Sequence, residues 1–261
     1  MILDRFRLDG KVAVITGAGR GIGAGIALGL AEAGADIVCA ARTRDQVEAT
    51  AEQVRARGRR GLPLVCDVMQ RPQLEELVTQ AMDAFGRIDI LVNNAGGTPP
   101  MEALHTSEQM FEEAFRFNVT SAFLLTRFCV PHMLKTGGGS IVNISSAAGR
   151  LVMAGFVAYG TAKAALSFMT RELGREFAPK VRVNAIAVGA VETSALMPFL
   201  TDELRGQMEG LTPMRRIGTV EDIAAAALYL CSPAGGWVTG KVFEVDGGTV
   251  ASNWPLELPA V

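Results

Sequence analysis

The chain has 261 residues, 49% of them hydrophobic and 20% charged, with a formal net charge of −2. That composition suits a buried core and excludes a disordered chain, and the lack of a basic excess argues against a nucleic-acid binder. No run of about 18 apolar residues is present, so no membrane span is expected.

Short apolar runs alternate with longer amphipathic stretches. The segment Met1–Gly10 carries Asp4, Arg5, Arg7 and Asp9 and lacks the apolar stretch of a signal peptide, so a cytoplasmic protein is expected. Lys11–Thr16 reads as a buried strand and Gly21–Ala33 as a helix; Asp36–Ala41 is a second strand and Asp45–Arg57 a polar-faced helix. Leu62–Cys66 is a third strand, followed by a helix over Pro72–Phe85. Asp89–Asn93 is a fourth strand, followed by a long helical region at Ser107–Leu134. Ser140–Ile144 is a fifth strand and Ala158–Phe177 a helix, and Val181–Ile186 and Lys241–Val245 complete seven strands. Apolar strands separated by helices predict an α/β fold, a doubly wound parallel sheet with helices on both faces. No linker or repeat divides it, so one domain over 1–261 is expected, with ligands at the carboxyl ends of the strands. The span 194–219 mixes Pro198, Gly206, Gly210, Pro213 and Gly218 with short apolar pieces, which fits a substrate lid or a surface helix–turn connection.

Cys39, Cys66, Cys129 and Cys231 form no C-x-x-C pair and sit in apolar runs, as small buried thiols do. His105 and His132 have no metal-ligand spacing, so no metal is expected.

The string Thr16-Gly17-Ala18-Gly19-Arg20-Gly21-Ile22-Gly23 follows the first strand and opens the first helix. Glycines there let the backbone turn sharply and approach a pyrophosphate, to which the helix N-terminus offers free N–H groups and positive potential. A tight turn without ligand is the plainer alternative. At the end of the second strand stand Ala41 and Arg42 rather than an acidic residue, with Arg20 inside the glycine turn. An acid would bind a ribose 2′-OH; two guanidinium groups suit a 2′-phosphate, unless both merely face solvent.

Tyr159-Gly160-Thr161-Ala162-Lys163 places a phenol and an ammonium on one helical face. A free Tyr, with a pKa of about 10, is a poor base near neutrality, and a nearby cation favours the phenolate. Ser146 lies at the carboxyl end of the fifth strand, where a hydroxyl can hold a substrate oxygen for proton exchange with Tyr159.

The Gly17-x-x-x-Gly21-x-Gly23 spacing, Asn93-Asn94-Ala95-Gly96, Ser146 and Tyr159-x-x-x-Lys163 together resemble the short-chain dehydrogenase/reductase family, over Lys11 to about Gly248. The resemblance implies a Rossmann-type fold, a nicotinamide cofactor with NADP(H) favoured over NAD(H), and transfer of the pro-S hydride between cofactor and a ketone or secondary alcohol. It implies catalytic roles for Asn118, Ser146 (rather than Ser145), Tyr159 and Lys163, with Asn118 holding a distorted helix and a proton relay. Cofactor contacts are implied at Gly17, Gly19, Arg20, Gly21, Ile22, Gly23, Arg42, Val68, Ala95, Gly96, Gly189 and Val191, and at Tyr159 and Lys163. Asp67 corresponds to the adenine contact, Asn94 to the motif beside the cofactor and Thr193 to the carboxamide contact, although Asn93 and Asn94 also suit a local turn. Val188, also implied as a cofactor contact, stands where the family commonly has proline, and keeps a backbone N–H that proline lacks. The Trp237–Gly240 and Asp246–Gly248 ending resembles members that form homotetramers, and the tail from Thr249 suits packing across a subunit or over a site.

Asn94–Gly97, Thr212–Arg216 and Leu230–Pro233 are similar to stretches of 7α-hydroxysteroid dehydrogenases, and 3-oxoacyl-thioester reductases are the other subgroup resembled. Candidate pocket residues at Thr98–Met101, Arg150–Phe156 and Ala195–Met208 are rich in Met, Leu and Phe, which implies an apolar small-molecule substrate. A non-catalytic cofactor sensor or scaffold on the same fold is the competing reading.

Overall fold

The computed structural model describes residues 1–193, 196–197 and 200–254. Strand β1 (Val12–Thr16) is buried along its whole length, so it can only lie between neighbours. It pairs with β2 (Asp36–Ala41) on one side and β4 (Ile90–Asn93) on the other, with Val12 opposite Asp36 and Ala13 opposite Ile90. With β3 (Gly61–Val65), β5 (Gly139–Ser146), β6 (Val181–Val188) and β7 (Val242–Val245), they form one seven-stranded sheet. Every pairing is parallel, and the order is β3-β2-β1-β4-β5-β6-β7. Strand order reverses between β1 and β4, and the crevice outside the carboxyl ends of that pair is where such sheets hold ligands.

Side-chain alternation along the strands supplies two cores. Ala13, Ile15, Ile37, Cys39, Val142 and Ile144 point to one face, against α1 (Gly21–Glu32), α2 (Arg44–Ala56) and α8 (Val220–Cys231). Val12, Val14, Val38, Leu91 and Ile141 point to the other, against α3 (Arg71–Phe85), α5 (Ser121–Lys135) and α6 (Val157–Glu176). Each fully buried Leu or Ile among them contributes about 1.5–3 kcal/mol relative to exposure. All four cysteines are buried, and burial pushes the Cys39, Cys129 and Cys231 thiols up to about 12.

Three features depart from the sequence expectation. The long helical region divides into α4 (Glu108–Phe115), a π-helical turn at Arg116–Thr120, and α5. Strands β5 and β6 run on to Ser146 and Val188 rather than stopping at Ile144 and Ile186. The sequence reading left α8 unassigned, although a capping box announces it: Asp222 N–H donates to Thr219 Oγ1 and Asp222 Oδ2 accepts from Thr219 N–H. Within 194–219 lies α7 (Asp202–Leu211), and Val191 bridges to Gly218 at its base. Ser194, Ala195, Pro198 and Phe199 of that span, and residues 255–261 of the tail, lie outside the described residues. Among the described residues no helix is long and apolar enough to cross a membrane, and no cluster of His, Cys, Asp and Glu could hold a metal.

Candidate active site

The glycine turn is stitched to the strand beside it. Thr16 Oγ1 accepts the N–H groups of Asn94 and Ala95, both at 3.0 Å, while Asn94 Nδ2 donates to the carbonyls of Thr16 at 2.9 Å and Gly17 at 3.2 Å. This closeness dictates glycine: a Cβ on Gly17, at φ 65°, would lie 2.6 Å from Asn94 Nδ2. On Gly23 it would meet Gly17 O and the same amide nitrogen. Thr16 was missed by the sequence reading, because nothing in an apolar strand marks its last residue as a clamp. Asn93 turns the other way, into a buried polar ladder in which its Nδ2 donates to Asn143 Oδ1 at 2.9 Å and Asn143 Nδ2 donates to Thr170 Oγ1 at 2.9 Å.

From this turn a cavity of about 910 Å³ runs along the carboxyl edge of the sheet, near the top of the usual range for small-molecule sites. Gly17, Gly19, Arg20, Gly21, Ile22, Gly23, Arg42, Asp67, Val68, Asn94, Ala95 and Gly96 line one end. Ser146, Tyr159, Lys163, Val188, Gly189, Val191 and Thr193 line the rest, so the expected catalytic and cofactor residues reach it except Asn118, which lies behind Gly96; of the expected substrate-pocket spans, Met101 and Arg150–Val152 do not line it. Thr43 and Gln46 also line it, beside Gly19 and Arg42, and were not singled out from the sequence. The N-cap residue of α1, Arg20, places no side-chain cap on the helix start, where the first N–H groups have no intrahelical partner. Glycines that exclude a Cβ, an open helix N-terminus and two arginines at one end together fit a phosphorylated dinucleotide.

The other end is built by β5 and α6. Ser145 and Ser146 alternate across the strand: Ser145 Oγ donates to Lys163 O at 3.0 Å and bonds Ser167 Oγ at 2.7 Å, and is buried. Ser146 is the hydroxyl that bonds Tyr159 in the cavity. Burial pushes the Tyr159 phenol up from its ordinary value, and the hydrogen bond with Ser146 pulls it back. Lys163 Nζ donates to Ile144 O at 2.8 Å and lies 5.7 Å from the centre of the Tyr159 ring. With only 3% of its surface exposed, the ammonium is brought down to about 8 by burial.

Asn118 sits in the π turn, where Nδ2 donates to Ala114 O at 2.9 Å. Its Oδ1 accepts from Gly97 N–H at 2.9 Å. A Cβ on Gly96 would fall 2.7 Å from that Oδ1 and 3.0 Å from Lys163 Nζ, so the three groups meet at one point. Val188 is a buried strand residue in register with Ser146 on one side and Val245 on the other. A proline there would remove a strand N–H that valine retains.

A phenol hydrogen-bonded to a serine and faced by a buried ammonium is chemically able to give or take a proton at an oxygen held in the cavity. The family model described as enoyl-(acyl carrier protein) reductase matches residues 17–250. An uncharacterised oxidoreductase of Mycobacterium tuberculosis is 54% identical, over 99% of each chain. The 7α-hydroxysteroid dehydrogenase of Escherichia coli K12 is 40% identical, over 95% of this chain and 97% of the relative. A solved 7α-hydroxysteroid dehydrogenase, complexed with NADH and 7-oxo glycochenodeoxycholic acid, superposes with a TM-score of 0.92 at 40% identity, covering 96% of this chain and 98% of that one. With a family match over most of its length and relatives this similar, the chain belongs to the short-chain dehydrogenase/reductase family of oxidoreductases.

Proposed function

We propose that the protein interconverts a ketone and a secondary alcohol with NADP(H), and that Tyr159 is the proton donor and acceptor. The observation that carries this reading is the Ser146–Tyr159–Lys163 cluster inside the cavity that begins at the glycine turn. When bound, the cofactor supplies the hydride. Ser146 orients the substrate oxygen, and Tyr159 gives it a proton during reduction or takes one during oxidation. Lys163 holds the nicotinamide ribose and, when protonated, makes the phenolate easier to form. Asn118 keeps the π turn and the Gly96–Gly97 loop in place behind Lys163.

Arg20 and Arg42 support NADP(H) over NAD(H), because no carboxylate stands at the end of β2 to oppose a 2′-phosphate. Met153, Phe156, Leu196 and Met208 at the Tyr159 end support an apolar substrate in a single catalytic domain. The homologous 7-oxo steroid complex points in the same apolar direction. The resemblance of the Trp237–Gly240 and Asp246–Gly248 ending supports a homotetramer.

The test is cofactor oxidation followed optically with ketones of graded size, for wild type and Tyr159→Phe. General acid–base catalysis is worth about 10²–10⁴ in rate, so the variant should lose that much turnover while binding NADPH as wild type does. Near-wild-type turnover in Tyr159→Phe would remove Tyr159 from the mechanism.

A further inference from the structure

The chain returns across its own site after β7. Arg150, on the turn that follows Ser146, clamps this return: Nε faces Glu244 Oε1 at 3.1 Å, while Nη2 donates to Asp246 Oδ2 at 2.7 Å and to Thr249 O at 2.9 Å. Asp246 in turn accepts from Gly248 N–H at 3.0 Å, and Asn253, buried, donates from Nδ2 to Thr212 Oγ1 at 2.9 Å. The return is therefore tied at both ends, to the Ser146 turn and to the end of α7. It delivers Trp254 to the cavity, where the indole meets Phe156 edge-on at 6.0 Å and 88°, and Phe156 meets Tyr159 at 6.1 Å. Three rings thus run from the outer wall of the cavity to the proton-transfer group.

We propose that Trp254 is a specificity-determining residue, which with Phe156 forms an aromatic wall selecting ketones with a bulky apolar ring system, and that Arg150 is the positioning residue holding that wall. The inference rests on the ketone–alcohol reading above. Aromatic faces bury large apolar area and favour edge-to-face contacts, so a small acyclic ketone leaves the wall unused. Among the described residues, the Arg150 side chain bonds to Glu244 of β7 and to Asp246 and Thr249 of the return, and not to Ser146, Tyr159 or Lys163.

The test compares 2-decalone with 2-butanone for wild type, Trp254→Ala and Trp254→Phe. A lost pocket contact of this size changes selectivity by about tenfold or more. Trp254→Ala should therefore lower kcat/KM for decalone by that factor, mainly through KM, and change butanone less than about threefold. Trp254→Phe should retain most of the preference. Arg150→Gln should shift the decalone-to-butanone ratio in the same direction, add little on top of Trp254→Ala, and be rescued in part by Arg150→Lys. A readout apart from turnover uses Trp237→Phe, which alters a fully exposed residue and leaves Trp254 as the remaining tryptophan. Decalone, but not butanone, should change its emission. An unchanged decalone-to-butanone ratio in Trp254→Ala, with wild type active, would overturn the wall alone. Absence of turnover with any ketone in wild type would overturn the reading beneath it and the wall with it.

Discussion

Lys163→Met should make the protein more stable at neutral pH and inactive at the same time. The Lys163 ammonium is buried, and burial brings it from 10.5 down to about 8. Each tenfold change in proton affinity is about 1.4 kcal/mol, so keeping that proton in the folded state costs about 3 kcal/mol below pH 8. Between the folded and unfolded values the unfolded chain binds more protons than the folded one, so wild-type stability rises with pH through that window. Methionine has no proton to lose and similar length, but leaves Ile144 O without its donor, a loss of about 1 kcal/mol. Lys163→Met should therefore exceed wild type by about 2 kcal/mol near pH 6.5, and the gap should close by about the same amount near pH 9.5. Urea unfolding of both proteins at fixed concentration and matched pH measures the difference, in which titrations common to both cancel. A difference that stays flat across this range would refute the assignment of Lys163 as a buried, strained cation.

With Tyr159 as the proposed proton donor and acceptor, ketone reduction should fall at alkaline pH as the phenol ionises, and alcohol oxidation should rise. Burial holds the phenol high in the free protein, so the rise belongs to the alkaline side, and any residual oxidation by Lys163→Met should move to higher pH still. Arg42→Asp should lower the NADPH-to-NADH ratio of kcat/KM by about 10² or more, because it removes a charge-assisted partner of the 2′-phosphate and adds repulsion; an unchanged ratio would show that Arg42 faces only solvent. Gly17→Ala places a Cβ 2.6 Å from Asn94 Nδ2 at φ 65°, a backbone state costing an L-residue about 1–2 kcal/mol. Cofactor titration by fluorescence should show affinity reduced at least tenfold in that variant.

Residues close together in sequence were legible where local geometry decides their relation. The Tyr159–Lys163 pair shares a helix face by spacing alone, and the glycine turn sits where β1 must give way to α1. The alternation of Ser145 and Ser146 follows from strand pleating, which sends one hydroxyl into the α6 interface and the other into the cavity. Even α8, left unassigned, had a local signal in Thr219 and Asp222.

The sequence by itself determined the α/β alternation, the turn that excludes side chains and the placing of Tyr159 and Lys163 on one helix face, because periodicity and motif spacing act over a few residues. Tertiary structure alone decided the rest. Asn118, in the π turn, finds its partner in Gly97, which lies on another loop. Thr16 became a clamp only when β4 arrived beside β1. Lys163 became a perturbed base only when the sheet and α6 closed over it, since desolvation belongs to the packed state and not to the residue. Trp254 entered the site because Arg150 joins the loops after β5 and β7, which lie far apart along the chain and share the carboxyl edge of the sheet on either side of β6.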